Sequence, residues 1–159
     1  MLNDNHFERD TAIDLILPSL AASGGKEIAG AIVEKVFPPG YSEASVQALV
    51  QDLAEELARS GIGTGVGVAA IKTASIKNSL SILVRLKDSV DVAAPDNVSA
   101  DIICVLLYPE AEAPHYLRRL SRLTRLLRNP DLCAKLRETQ DIDTMRSLLH
   151  SPEGWTLAA

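Results

Sequence analysis

The chain has 159 residues, 47% of them hydrophobic and 23% charged, and a net charge of -5 at pH 7. That length closes one core and is too short for two well-sized domains. The acidic balance argues against nucleic acid as the partner of the molecule as a whole.

The opening MLNDNHFERD has neither the basic start nor the apolar stretch of a signal peptide, so the reading is a cytoplasmic protein with reduced thiols. Residues 1–9 and 151–159 read as extensions around one domain over residues 10–150. AIDLILP, 12–18, is a short apolar run that Pro18 stops, which suits a strand or an irregular segment. After Ser23, Gly24 and Gly25, the run KEIAGAIVEKVF repeats Ile28, Ile32, Val33 and Val36 at helical spacing, and PPG at 38–40 forbids continuation. Ser42 and Glu43 form an N-cap context for a second helix with Val46, Leu49, Val50, Leu53 and Leu57 on one face, and Gly61 supplies its stop.

Gly61, Gly63, Gly65 and Gly67 then alternate through a loop-like ladder. Beyond it SLSILVRL, 79–86, alternates Leu80, Ile82, Val84 and Leu86 with small or polar residues, which is strand periodicity. After the turn APDN, ADIICVLLYP at 100–109 has the continuous apolar body of a strand buried on both faces. Its run IICVLLY is the longest uncharged apolar stretch in the chain, far below the about 20 residues of a membrane helix, so no membrane insertion is expected. The last third is helical. PHYLRRLSRLTRLLRNP places Leu117, Leu120, Leu123 and Leu127 on one side, with Arg118, Arg119, Arg122 and Arg125 in an arc of about 120° on the other. NPDLCAKLRE and DIDTMRSLLH read as two shorter helices with polar or acidic starts. Strands enclosed by helices, with no repeats and no low-complexity tract, make a single layered domain of α/β or α+β class.

Cys104 and Cys133 read as free thiols. His6, His115 and His150 are scattered and neither cysteine has a CxxC neighbour, so neither a metal nor a cofactor is expected. The ladder fails two phosphate-binding patterns. Lys72 and Thr73 follow Ile71 where a P-loop needs glycine, and GIGTGV follows a helix where a dinucleotide fingerprint follows a strand.

SGIGTGVGVAAI, 60–71, resembles the segment around the phosphorylated histidine in enzyme IIA domains of the bacterial phosphotransferase system, fructose/mannitol and nitrogen-regulatory class. Those domains read like STGIGNGVAIPH, with the histidine last. DIICVLLYPEAEAPHYLRRLSRLTRLLRNPDLCAKLRE, 101–138, is similar to that family's strand ending in Leu-x-Pro-Glu and the helices after it. The resemblance spans roughly residues 10–149 and implies the family's three-layer fold, an α/β single domain with a central mixed sheet flanked by helices.

Three departures matter. Aligned on the glycines, Ala69 stands at the family's proline and Ala70 at its phosphoryl-accepting histidine. A methyl group has no lone pair to attack phosphorus, whereas a neutral imidazole does. Ala54 stands at the family's probable arginine, with Glu55 kept after it, and DNVSAD keeps Asp96 and Asp101 of the strand entry while losing its glycine and proline. His115 matches the family's second histidine.

The resemblance therefore implies a degenerate enzyme IIA-like regulator acting by protein contact, its partners an HPr-like phosphocarrier, a sensor kinase or a transporter component. Ser60, Thr64, Ala70, Lys72, His115, Arg118, Arg119 and Arg122 are its candidate binding residues, and no catalytic residue is expected. The alternative is an active phosphocarrier with a displaced acceptor such as His115; Thr64, Lys72 and Ser75 are acceptors only by proximity. A third class, nucleic-acid binding through the arginine helix, sits poorly with the acidic net charge.

Overall fold

In the computed structural model of the chain, which describes residues 13–37, 40 and 42–150, five strands form one mixed sheet. They are β1 (Leu15–Leu20), β2 (Gly61–Gly63), β3 (Val66–Lys72), β4 (Leu80–Val90) and β5 (Ala100–Tyr108), in the order β1-β4-β5-β3-β2. β1 runs parallel to β4 and β3 parallel to β5, while β4–β5 and β2–β3 are antiparallel. β5 is central, and Ile103 to Leu107 are fully buried. Its alternate side chains enter two separate cores, as the apolar run implied.

One core lies under α1 (Gly25–Val36) and α2 (Glu43–Leu57), where Ile28, Ile32, Leu53 and Leu57 meet Ile82, Val84, Ile103 and Val105. The other lies under α3 (Tyr116–Leu127), α4 (Pro130–Arg137) and α5 (Ile142–Leu149), where Leu123, Leu126, Leu136 and Met145 meet Leu83, Ile102 and Cys104. The result is a helix–sheet–helix sandwich. The start of α4 is capped by Asn129, whose side chain accepts from Asp131 and Leu132, and that of α5 by Asp141, which accepts from Thr144. Arg85 on β4 donates to the Arg137 and Thr139 carbonyls, satisfying acceptors left at the end of α4.

Several expectations change. Pro18 does not stop the first strand: β1 runs to Leu20, and its pairing with β4 slips between Leu17 and Leu20 to pass the residue that has no N–H. Ser42 makes no side-chain cap bond, and α2 ends before Gly61. Gly61 itself lies in β2, so the glycine ladder is a β-hairpin. β4 continues four residues beyond Leu86, to Val90. Leu117 is 63% exposed. It stands about 120° around the helix from Leu123, outside the stripe that meets the sheet.

Candidate functional site

The hairpin turns at Thr64–Gly65, between the paired Gly63 and Val66. Both central residues have positive φ, 57° and 82°, the pattern of a two-residue type I′ turn. Gly65 meets this demand at no steric cost, but Thr64 is β-branched and does not. Surrounding bonds hold it. The Thr64 N–H donates to Asp96 Oδ2 at 2.7 Å, which keeps that carboxyl below its ordinary range. Arg137 Nη2 donates to the Thr64 carbonyl at 3.1 Å, while its Nε contacts both Asp101 oxygens at 2.9 and 3.0 Å. An external anion at this tip would meet the carboxylate of Asp96 on the N–H it needed. Gly61 answers a different demand: a Cβ there would lie 2.6 Å from Ala94 Cα.

Ala70 is far from this tip. Six residues of extended chain separate it from Thr64, about 20 Å along β3. It pairs with Leu106 on β5, which pairs in turn with Ser81 on β4. Ala69 joins the core under α1 and α2, and Val68 packs against the other core, so strand alternation turns Ala70 toward the α3 layer.

Beside it on the same row is a polar knot. Ser81 is fully buried; its N–H donates to Asp14 Oδ2 at 2.7 Å and its Oγ accepts from Arg119 Nε at 3.0 Å. Arg119 Nη2 closes the triangle on Asp14 at 3.1 Å. Arg119, a candidate binding residue in the arc opposite the leucines, is thus turned inward, its side chain 14% exposed. Arg122 is half-buried, while Arg118, Arg125 and Arg128 face outward.

Two residues beyond Ala70, Lys72 pairs with Tyr108 across the parallel ladder and forms an ion pair with Glu110 at 2.7 Å, which raises the lysine pKa. Tyr108 stacks on Tyr116, the rings parallel with centroids 4.2 Å apart, and burial pushes the Tyr108 phenol up. His115 is exposed at the start of α3, its backbone N–H donating to Glu112 and its imidazole making no cap bond. Among the described residues, His115 supplies the imidazole of this strand end. Lys72 is held protonated, and the Ser81 hydroxyl is sealed from solvent.

The remaining candidates lie elsewhere. Ser60 is buried, its Oγ donating to the Leu57 carbonyl at 2.8 Å, a helix-end tie with no surface for a ligand. Ala54 packs at the edge of the core under α1 and α2 and lines an open groove of about 740 Å³ with Lys26, Val50 and Glu55, on the layer opposite the one Ala70 faces. Ser75 sits in the turn after β3, its N–H on Thr73 Oγ1. The candidates therefore divide: Ala70, Lys72 and His115 belong to one strand end, and Thr64 to the other. Tyr108, Tyr116, Asp14, Ser81 and Arg137 were not singled out by their sequence pattern; only the retained Asp101 pointed toward the Arg137 pair. No group of three His, Cys, Asp or Glu side chains among the described residues could hold a metal, and no described helix is long and apolar enough to cross a membrane.

Comparison with known proteins gives a consistent picture. The sequence profile described as "Phosphoenolpyruvate-dependent sugar phosphotransferase system, EIIA 2" matches residues 11–151. A nitrogen regulatory protein of Bradyrhizobium diazoefficiens is 31% identical over 81 residues, 51% of this chain and 53% of that relative, so the chain spans about half the length of this curated relative. Among solved structures, nitrogen regulatory protein IIA-Ntr from Neisseria meningitidis superposes with a TM-score of 0.70 at 21% identity, over 85% of this chain and 92% of that one. Enzyme IIAMTL of Escherichia coli, solved in complex with phosphorylated enzyme IIBMTL, superposes with a TM-score of 0.64 at 18% identity, over 84% and 92%. At these identities the two structures show the shared fold.

Proposed function

The chain belongs to the EIIA 2 family of the phosphoenolpyruvate-dependent sugar phosphotransferase system, and from that premise we propose that it is a member that no longer transfers phosphoryl groups and works by binding other proteins. The observation that carries this reading is Ala70. It stands at the strand position where the resemblance puts the accepting histidine, and its row neighbours are the apolar Leu106 and the sealed hydroxyl of Ser81. Ala54, at the probable arginine position, lies on the layer opposite the one Ala70 faces, so the reading rests on Ala70 and not on it. A chain fixed in this way holds the unphosphorylated state permanently. Its partners are then an HPr-like phosphocarrier, a sensor kinase or a transporter component in the cytoplasm, met by the outward side of α3 and the adjoining strand end.

A second reading has one observation in its favour. His115 is exposed at the same strand end and offers an imidazole, so it is the acceptor of an active phosphocarrier on that view. Incubation with enzyme I, HPr and labelled phosphoenolpyruvate separates the two. The binding reading expects no label on the wild-type chain and acid-labile label on Ala70→His. Label on wild-type protein that disappears in His115→Ala overturns it.

A further inference from the structure

The charges of this chain are unevenly placed. Residues 113–130 hold five of its sixteen basic residues and none of its twenty-one acidic ones, so eleven basic and twenty-one acidic residues, a net of -10, make up the rest. Within that basic segment the structure makes a further division. Arg119 is tied to Asp14 and Ser81, and Arg122 is half-buried. Leu117, Arg118, Ser121, Arg125 and Arg128 are all exposed, and at about 100° per residue they fall on one continuous side of α3. Leu117 is the most exposed of the large apolar side chains described, at 63%. Beyond Arg128 the face runs into a shallow depression of about 450 Å³ formed with Asn129, Pro130 and Asp131 at the start of α4.

We infer that this outward face of α3 docks an acidic helical segment of a protein partner, which sets its carboxylates on Arg118, Arg125 and Arg128 and one apolar residue on Leu117. The inference deepens the binding reading above and rests on it for protein as the class of partner. Charge complementarity selects an acidic occupant, and the guanidinium fork pairs with carboxylates in two parallel hydrogen bonds. Size selects a short one. The basic helix is about 18 Å long, and an extended polyanion such as duplex DNA would run past it onto a surface of net negative charge. A single exposed leucine is too little apolar surface to anchor in a bilayer but is enough for the centre of a protein contact with an arginine rim.

The test is fluorescence anisotropy with a labelled synthetic helical peptide that carries glutamates and one leucine on the same face. The expected result is saturable binding that weakens with added salt. Reversing Arg125 and Arg128 to Glu should weaken it about tenfold or more, Leu117→Ala should weaken it about threefold, and Ser121→Arg should tighten it. All four positions are exposed, and circular dichroism checks that each variant keeps its helix content. Absence of saturable binding, unchanged affinity in the Arg125→Glu, Arg128→Glu variant, or tighter binding to labelled duplex DNA or to phosphatidylglycerol vesicles overturns the inference. The two failures are read separately: label on His115 would remove the binding reading by itself, whereas peptide failure in a chain that stays unlabelled would remove the docking surface alone.

Discussion

Arg137 holds Asp101 through its Nε, 2.9 and 3.0 Å from the two carboxylate oxygens, and spends its Nη2 on the Thr64 carbonyl 3.1 Å away. One side chain from α4 thereby joins the entry of β5 to the tip of the hairpin. Arg137→Ala should cost about 2 kcal/mol, the usual range for charge-assisted hydrogen bonds at a half-exposed site. Asp101→Asn should cost less, and the double variant less than the sum of both, because the two share the interaction. Urea unfolding of the four proteins measures it; additive losses would separate the residues energetically.

Thr64 occupies a left-handed position, φ 57°, for which its side chain is poorly suited. The family segment reads GIGNGV, with asparagine there, and asparagine tolerates that region better. Thr64→Asn is expected to stabilise the fold by about 0.5–1 kcal/mol. Gly61→Ala should act in the opposite sense by about 3 kcal/mol, because its Cβ would meet Ala94 backbone atoms at 2.6 and 2.8 Å. Melting temperatures of the two variants should move apart from that of the wild type.

Asp96 gives the turn a pH dependence. The Thr64 N–H first, and the Val98 N–H second, lower its carboxyl pKa in the folded state below the ordinary 3.8. A carboxyl lowered by folding adds stability above its unfolded pKa and loses it as pH falls through the folded one. The stability difference between wild type and Asp96→Asn should therefore be full near neutrality and shrink below about pH 4. Denaturation across that window should show the two curves converging on the acid side; a constant gap would mean that Asp96 acts through shape alone.

Arg118 and Arg119 are neighbours in sequence and opposites in consequence. Arg119→Ala leaves the buried Ser81 hydroxyl and the Asp14 carboxylate without their cation, and should cost about 2 kcal/mol. Arg118 is exposed, so Arg118→Ala should stay within about 0.5 kcal/mol. Parallel thermal melts would reveal equal losses if the inward turn of Arg119 carried no energy.

The contrast between these arginines explains what could be read from the chain beforehand. Helical and strand spacing located both N-terminal helices, β4, β5 and the three C-terminal helices, because each exposes a repeating apolar face to a core. The hairpin is not legible in the pattern because glycines carry no side chain to mark a period. The inward turn of Arg119 is not legible because its partners, Asp14 and Ser81, lie 105 and 38 residues away, and spacing along one helix says nothing about them. The family resemblance supplied the significance of Ala70. It could not show that the hairpin tip and Ala70 occupy opposite ends of β3, which depends on the ladder between β3 and β5.

The slip in register at Pro18 has a consequence for assembly. β1 and β2 are the two outer strands of the sheet, where unpaired backbone groups invite another chain to add a strand. On one side, Pro18 removes a donor and the register slips between Leu17 and Leu20. On the other, β2 offers three residues, Gly61–Gly63, too short a template for stable strand addition. Growth of the sheet into a fibre or a strand-swapped pair is thereby discouraged at both described rims.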